Sequence, residues 1–410
     1  MCAPSLHAQG TAPLSLATAR NAAHRVHPEI TAAREAVMAA QAGERQAGAY
    51  PNPTFAYRRE QTAGDGQSNA QNVSSIDQPI ELGLRGSRRD VARARREAAE
   101  ARLAFTRLEL DHDVTVAYAR AVAADRRARV AEQAGAAFTE ALRVSEQRLA
   151  AGDVAGYSHR RLRLEAARAA TARVEAVLEA RTARVVLASL ISAADASLAP
   201  SSMILSDTLV GVLTTPAADS LVAMAQQIRA DFRALQLDAE GSAAEARLAA
   251  RARLPVPVLS AGFKNERLGQ PGAGTYSLDG FVAGISLSLP IFDRRRGAVD
   301  AAEAETRRQL ALVESRRRRI AREVLEAHDA YRVAQEQVAL LEPVVGPDAR
   351  AALAAADVAY AEGEIMLVEW LDVMRSYREA EASFASLQAE VLIRRAALER
   401  AVGSPFTQVR

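Results

Sequence analysis

Apolar residues recur at helical spacing over most of the chain, and two short windows with a different pattern interrupt them. Helical stretches are expected at about residues 14–48, with a break near Pro28, and at about residues 217–252. Each stretch ends at a pair of prolines, within residues 51–53 and 255–257. Because proline stops a helix and favours an extended conformation at the residue before it, strands are expected to follow in both places.

The windows after the prolines are expected to form β-hairpins, at about residues 53–80 and 257–290. Polar and Gly-rich loops are expected at residues 61–72 and 268–274. The clearest period of two lies in the second return strand, where large apolar side chains occupy alternate positions: Phe281, Ala283, Ile285, Leu287 and Leu289. These nine residues are about as long as a transmembrane β-strand.

Aromatic residues favour the same interpretation, since seven of the chain's 18 fall within residues 50–80 and 255–292. Aromatic girdles at membrane interfaces produce such clustering. The alternative is a pair of soluble hairpins packed on helices. If the strands do span a membrane, four per chain cannot close a barrel, so several chains must share one: two chains would supply eight strands and three would supply twelve.

Each hairpin is followed by long helices. Residues 87–149 contain no proline and one glycine, which predicts a helix of about 90 Å. A helix of that length favours coiled-coil-like packing. A return helix is expected at residues 158–192. The second half is expected to repeat this arrangement from residue 298, with an interruption at Pro343 and Pro347, a break at Gly363 and a return at residues 368–402.

Three markers show that the chain is duplicated. Pro79 matches Pro290, Gly86 matches Gly297 and Gly152 matches Gly363, each pair 211 positions apart. The sequence is therefore divided into an N-terminal segment at residues 1–11, repeat 1 at 12–193, a linker at 194–216, repeat 2 at 217–403 and a tail at 404–410. The fold class expected is mainly α with a β part.

Composition narrows the range of functions and partners that the chain could have. With 49% apolar and 25% charged residues the chain can bury a core, and a net charge of +2 gives no reason to expect nucleic acid. Cys2 is the single cysteine, so no internal disulfide can form. Residues 1–9 resemble the end of a secretory signal peptide with a cleavage site before Gln9. The alternatives are a disordered N-terminus or, less favoured because no lipobox precedes it, a lipidated Cys2.

Two segments carry a family resemblance. Residues 50–54 (Tyr-Pro-Asn-Pro-Thr) and 78–85 (Gln-Pro-Ile-Glu-Leu-Gly-Leu-Arg), set in a duplicated layout, resemble the outer-membrane efflux proteins, the TolC-like channel family. The Gln-x-Ile-Glu-Leu-Gly pattern is similar to the branch that serves cobalt–zinc–cadmium and copper–silver efflux. The sequence departs from the pattern of this branch at Leu84. The basic residue that usually follows a second glycine there is displaced by this leucine.

The resemblance implies a homotrimer with a twelve-stranded β-barrel in outer-membrane lipid and a twelve-helix tunnel in the periplasm of a Gram-negative-type bacterium. It implies passive export, driven by an inner-membrane pump of the resistance-nodulation-division type through a periplasmic adaptor. No cofactor and no enzymatic activity are implied. The alternative is a soluble coiled-coil scaffold or tethering protein.

The resemblance also assigns the helical hairpin tips to contact with the adaptor. The residues are Arg148, Leu149, Gly152 and Asp153 in repeat 1, and Tyr360, Gly363 and Glu364 in repeat 2. Glycine permits the left-handed turn and a close approach by a partner. The alternative is that both glycines serve the turn alone.

A gate is expected just beyond the second tip. Glu369 and Asp372 are three residues apart and so share one helix face, whereas repeat 1 has Ser158 and Arg161 at the matching positions. In the family, acids here ring the periplasmic mouth, where they favour cations. The alternative is a pair of ordinary surface acids. Trp370, which lies between them, is expected to pack outward against a neighbouring helix.

Catalytic and metal-binding arrangements are not expected. The six histidines are scattered without ligand spacing, and Pro28 disrupts the face that His24 and His27 could share. Met366 and Met374 flank the gate and could bind Cu(I), but two core methionines are the favoured interpretation.

Overall fold

The computed structural model describes residues 13–64, 67–191, 200, 203–206, 216–270, 272 and 274–405. The predicted signal-peptide remnant, most of the predicted linker and the last five residues of the tail lie outside the described residues. The described chain contains these helices and strands in order: α1 (Leu16–Val26), α2 (Pro28–Ala47), β1 (Thr54–Gly64), β2 (Gln67–Pro79), α3 (Leu84–Ala151), α4 (Gly156–Ile191), α5 (Ala218–Ile228), α6 (Ala230–Arg251), β3 (Pro257–Gln270), β4 (Gly274–Leu287), α7 (Arg296–Val345), α8 (Pro347–Glu362) and α9 (Leu367–Val402).

The described chain forms two compact units that do not coincide with the two repeats. The first comprises residues 13–33, 103–230 and 317–405, as far as these are described, and the second comprises residues 34–102 and 231–316. Each unit takes segments from both halves of the sequence. The division into two repeats is therefore an interpretation of the sequence. In the folded chain, equivalent parts of the two halves pack together in the same unit.

The second unit contains a four-stranded sheet in the order β1-β2-β3-β4, antiparallel throughout. The central β2–β3 pairing joins one half of the chain to the other, with Ser74 opposite Phe263. This mainly helical fold with one antiparallel sheet agrees with the fold class expected from the sequence.

The loops predicted at residues 61–72 and 268–274 are largely wrong. β1 continues to Gly64 and β2 begins at Gln67, and β3 continues to Gln270 before β4 begins at Gly274. Cross-strand hydrogen bonds satisfy the backbone of these polar segments, so a strand forms there without apolar alternation. Gly272 and Gly274 have φ of 79° and 81°, which glycine adopts without strain.

One face of the sheet is apolar and exposed. Tyr57, Ser74, Phe263 and Phe281 lie in one cross-strand row, and the rows towards the strand ends near the helices add further apolar side chains: Phe55, Ile76, Leu259, Ile285 and Leu287. From residue 281 to residue 287 of β4 this band extends about 20 Å, close to the apolar band of a membrane barrel.

The opposite face is predominantly polar. It carries Arg58 and Lys264 in one row and Glu60, Gln71 and Glu266 in the next. Lys264 Nζ lies 2.8 Å from Glu266 Oε2, and Asn69 donates a hydrogen bond of 2.9 Å to Glu266 Oε1. A sheet with one apolar and one polar face suits a boundary between lipid and water.

The first unit has an aliphatic core between α1, α3 and α4. Tyr118 is fully buried there, and its hydroxyl lies 3.0 Å from the carbonyl oxygen of Leu14 and 2.8 Å from that of Ser206. The α1–α2 break falls at His27, next to Pro28, as expected. Among the described residues, none of the helices combines the length and the apolar character needed to cross a membrane.

Two helix predictions were wrong. The stretch expected at residues 217–252 is two helices, because Arg229 between them has an extended backbone and is 4% exposed. Its Nη1 donates to Glu323 Oε2 at 2.7 Å and to the carbonyl oxygen of Ala401 at 3.0 Å. A buried guanidinium needs such acceptors, and reaching them interrupts the helix. In repeat 2, α7 continues through Pro343, where an interruption was expected, whereas the interruption expected at Pro347 is present, since α8 begins there after Gly346.

The β2–β3 pairing leads to the first prediction. A Cβ at Gly262 would lie 2.2 Å from the carbonyl oxygen of Ser74, whereas a Cβ at Gly280 would have no neighbour within 4 Å. We expect Gly262→Ala to destabilise the sheet by about 1–3 kcal/mol because the strands must separate. Gly280→Ala, the matched control, should unfold at the wild-type temperature. Thermal unfolding in detergent, followed by circular dichroism at β-sheet wavelengths, measures both. Equal melting of the two variants would contradict this account of the pairing.

Candidate functional site at the helical hairpin tips

The two hairpin tips, both in the first unit, share one backbone geometry. Gly152 between α3 and α4 has φ of 82°, and Gly363 between α8 and α9 has φ of 85°. The amide of Asp153 donates to the carbonyl oxygen of Arg148 at 2.9 Å, and the amide of Glu364 donates to that of Ala359 at 2.8 Å. Each glycine therefore ends its helix with a left-handed cap that satisfies carbonyls of the last turn.

Arg148 connects the two tips within the chain. Its Nη2 donates a 2.6 Å hydrogen bond to the carbonyl oxygen of Ala361, and its Nη1 donates a 3.2 Å bond to that of Tyr360. The guanidinium also lies 6.0 Å from the centre of the Tyr360 ring. A cation at the C-terminus of α8 stabilises the end of that helix through its exposed carbonyls.

An aromatic cluster lies beneath the second tip. Trp370 is 1% exposed and packs edge-on against Phe138, with ring centres 5.2 Å apart, and nearly parallel to Tyr360 at 5.4 Å. Its indole Nε1 donates a 2.7 Å hydrogen bond to Asp357 Oδ1. Trp370 therefore packs into the core formed by α3, α4, α8 and α9 of its own chain, which agrees with the expected packing against a neighbouring helix. A buried tryptophan is stabilised this way because both its ring and its N–H find partners.

Tyr360 belongs to this core. Burial raises the pKa of its hydroxyl, and the nearby Arg148 guanidinium partly opposes that rise. Its side chain is therefore buried in the core next to the tip. Among the other predicted contact residues, Leu149 is 38% exposed and Gly152, Asp153, Gly363 and Glu364 are all exposed. Adaptor contact by these residues remains a prediction.

Glu369 and Asp372 are both exposed on the first turns of α9. Glu369 also has a local partner, since its Oε2 accepts a 2.8 Å hydrogen bond from the backbone N–H of Met366. This contact caps the helix N-terminus, where a negative charge is favourable. The capping contact is compatible with a gating role, which remains a prediction.

Three exposed apolar side chains lie beside the tips, and two of them, Tyr157 and Val368, were not identified from the sequence. Tyr157 is 73% exposed, Met366 70% and Val368 52%. Each lies within five residues of Gly152 or Gly363, and that proximity is the signal that could have found them. Both methionines were expected in the core. Met374 is buried in the aromatic core, but that expectation is wrong for Met366, which lies in the exposed turn before α9.

The first tip has a different interior at the positions that match the aromatic cluster. His159 stands where repeat 2 has Trp370, and its Nδ1 lies 3.2 Å from the hydroxyl of buried Ser145.

His24 pairs with Asp111 at 3.0 Å. Within the described part of the chain, no group of three or more His, Cys, Asp or Glu side chains is arranged to hold a metal ion.

The chain is similar in sequence to known proteins. The pattern of the family described as "Outer membrane efflux protein" matches residues 19–193 and 221–404. The nickel-cobalt-cadmium resistance protein NccC of Alcaligenes xylosoxydans xylosoxydans is 31% identical over 314 residues, covering 74% of this chain and 65% of NccC, which is less than two thirds of its length. The cobalt-zinc-cadmium resistance protein CzcC of Cupriavidus metallidurans is 24% identical, covering 98% of this chain and 92% of CzcC.

The fold is also similar to a solved structure, the CmeC outer membrane channel of Campylobacter jejuni. The TM-score is 0.76 at 16% identity, covering 100% of this chain and 92% of CmeC. At that identity the likeness shows the fold alone. The family resemblance, its heavy-metal branch and the fold class expected from the sequence are thereby confirmed.

The connection between the tips leads to the second prediction. We expect Arg148→Ala to speed hydrogen exchange of the amides around both tips, at residues 149–156 and 360–367, because the last carbonyls of α8 lose their donor. Hydrogen-exchange mass spectrometry measures this. Arg143→Ala is the control, since Arg143 forms an ion pair with Glu140 on its own helix. If exchange at the second tip were equal in both variants, Arg148 would not hold the tips together.

Proposed function

The chain belongs to the outer membrane efflux protein family, and on this premise we propose that three copies form the outer-membrane duct of a tripartite exporter for heavy-metal cations. The observation that carries the proposal is the four-stranded sheet, whose apolar face is exposed and whose edge strands β1 and β4 have no further partner within the described chain. The soluble scaffold expected as the alternative leaves this face unexplained.

Assembly from several copies is supported by the backbone of the sheet. Unpaired edge amides and carbonyls are costly in lipid, so β4 of one copy would pair with β1 of the next. Three copies give twelve strands and close the sheet. The duct would thus form only in the assembly.

An exposed apolar stripe on α4 supports the same assembly. Val174, Val177, Leu178 and Val185 are between 49% and 63% exposed and recur at helical spacing. Such a stripe packs against another helix in a stable protein. A second copy supplies that helix in a closed assembly.

The hairpin tips fit contact with a periplasmic adaptor. They present exposed backbone at two glycines together with Leu149, Asp153 and Glu364. Exposed apolar and charged groups around a fixed turn provide both affinity and orientation for a partner helix. A pump of the resistance-nodulation-division type would then supply the energy, with the helices of this chain in the periplasm.

Heavy-metal cations are proposed as cargo because NccC and CzcC are named for resistance to nickel, cobalt, zinc and cadmium. Glu369 and Asp372 would ring the entrance, two carboxylates from each copy. Carboxylates at close quarters repel one another and attract cations, so the ring would favour cationic cargo and bind divalent ions that hold the entrance closed.

The third prediction tests export. In a host whose metal exporter lacks its outer-membrane component, we expect this chain to restore growth on nickel, cobalt or cadmium when the matching adaptor and pump are present. Growth limits on the metals, with membrane fractionation of the chain, measure this. A chain that reaches the outer membrane but restores resistance only to organic drugs would overturn the metal cargo and leave the duct. A chain found only in the soluble fraction would overturn the duct itself.

The fourth prediction concerns the gate. We expect Glu369→Gln combined with Asp372→Asn to raise single-channel conductance in planar bilayers and to weaken block by divalent cations, because the ring loses its charge. Glutamine can still accept the Met366 amide, so the helix cap is kept. Glu342→Gln combined with Asp348→Asn is the control, since both acids are exposed and one belongs to α7 and the other to α8. Unchanged conductance in the gate variant would remove these residues from the role.

A further inference from the structure

The strands meet the helices at one end of the sheet in the second unit, and we call this end the foot. β1 and β3 begin there, after α2 and α6, and β2 and β4 end there, before α3 and α7. The duplicated Arg-Gly markers, Arg85-Gly86 and Arg296-Gly297, both lie at this foot. The turns at the hairpin tips explain Gly152 and Gly363, but the proposed duct gives these arginines no role.

Cationic charge accumulates at the foot without partners. Six arginines there make no side-chain hydrogen bond or ion pair within the described part of the chain: Arg45, Arg89, Arg253, Arg294, Arg295 and Arg296. All six are exposed. Farther along the helices of the same unit, arginines are paired, as Arg96 is with Glu44 at 2.7 Å and Arg316 is with Asp231 at 2.5 Å. Arg58, Arg59, Arg247 and Arg267 elsewhere in this unit also lack such a partner, so the foot is distinguished by the number of unpaired arginines that it brings together.

Acidic groups at the foot do not neutralise this charge. Glu81 forms an ion pair with Arg88, whose Nη1 lies 2.5 Å from Glu81 Oε1. Asp293 Oδ1 accepts the backbone N–H of Arg295 at 2.8 Å, a residue with φ of 52°. Asp90 and Asp300 are exposed nearby in sequence. The arginines without partners outnumber these remaining acids.

Exposed apolar residues lie directly before the arginines in both halves. Leu82 is 68% exposed and precedes Arg85, while Leu289, Ile291 and Phe292 are 63%, 61% and 99% exposed and precede Arg294. These side chains follow the ends of β2 and β4 in the sequence. A change from aliphatic and aromatic residues to arginine is typical of a protein surface at a membrane interface, where the stem lies in the acyl region and the guanidinium reaches the headgroups.

A groove at the foot offers a place for a headgroup. It has a volume of about 700 Å³, and its lining includes Arg45, Arg85 and Arg89 beside Gly48. Two carboxylates, Glu44 and Glu100, also line it, and both form ion pairs with Arg96. Arg85 is held in place there by two contacts. Its Nε donates a 2.5 Å hydrogen bond to the carbonyl oxygen of Gly48, and its guanidinium lies 4.0 Å from the centre of the Tyr50 ring. Arg45 and Arg89 remain available to a phosphate, which matches the donor geometry of a guanidinium.

We propose that the foot of the sheet binds anionic phospholipid of the leaflet that faces the helices, through the phosphate headgroups. This inference rests on the proposed function, since it requires the sheet to lie in a bilayer. The occupant is a lipid rather than a second copy of the chain because the cationic groups adjoin exposed apolar side chains just beyond the ends of β2 and β4, where the exposed apolar face of the sheet ends. The bound lipid would fix the depth of the sheet in the membrane.

Native mass spectrometry of the full-length chain, purified as the assembled species in detergent, tests the proposal. The probes are phosphatidylglycerol and phosphatidylethanolamine with equal acyl chains. We expect phosphatidylglycerol to bind at least about tenfold more tightly to the wild type. The triple variant Arg45→Gln, Arg89→Gln and Arg294→Gln should lose most of this preference, since the first two arginines line the groove. The corresponding triple lysine variant should keep most of it, because charge is retained.

The control variant removes the same charge from another surface. Arg160, Arg163 and Arg181 are exposed on α4, and replacing all three by glutamine should leave the lipid preference unchanged. Planar-bilayer conductance of the same preparations separates the two proposals. A conducting wild type without lipid preference would overturn the lipid site alone, whereas a wild type that neither inserts nor conducts would overturn the proposed duct.

Three other results would overturn the lipid site. The first is an unchanged preference in the triple glutamine variant. The second is dissociation of that variant into single chains, which would assign the arginines to contact with a second copy. The third is displacement of phosphatidylglycerol by inorganic phosphate at equal concentration, which would indicate a site for free anions.

Discussion

Backbone hydrogen bonding at the edges of the sheet constrains the whole chain. β1 and β4 each have one side without a partner in the described chain, and the apolar face beside them is exposed. In water such edges invite aggregation, and in lipid they are not tolerated. In the proposed duct, copies of the chain would close the sheet. The exposed stripe on α4 is consistent with the same assembly, because a second copy would supply the helix that covers it.

Duplication explains how one chain meets this requirement. The pairing of β2 with β3 joins the two halves inside the sheet, and each compact unit draws on both halves. Pairing within the chain thus removes two of the four potential edges of the two hairpins. Only one edge at each side remains for the next copy. The duplication therefore halves the number of junctions that separate hairpins would need.

The sequence predicted features that depend on local chemistry. Gly152 and Gly363 end their helices with positive φ, and Pro28 adjoins a break, because glycine and proline act on the backbone at their own position. Features that depend on tertiary partners were missed. The break at Arg229 follows from a buried guanidinium that reaches Glu323, and the long strands near Gly64 follow from pairing rather than from apolar alternation. Of the candidate site, the positions of the turns were predictable, but the contacts of Arg148 and Trp370 were not.

The two hairpin tips differ in what fixes them, and this difference bears on which tip moves. The second tip has a tryptophan, a tyrosine and a phenylalanine beneath it, and it also receives the guanidinium of Arg148 from the first. The first tip has the smaller His159–Ser145 pair in its interior. Loss of the Arg148 contact would release only the last carbonyls of α8, because Tyr360 and Asp357 keep that helix packed on Trp370 of α9. In the proposed gate, opening would then require the two tips to separate while α8 and α9 stayed packed together around Trp370.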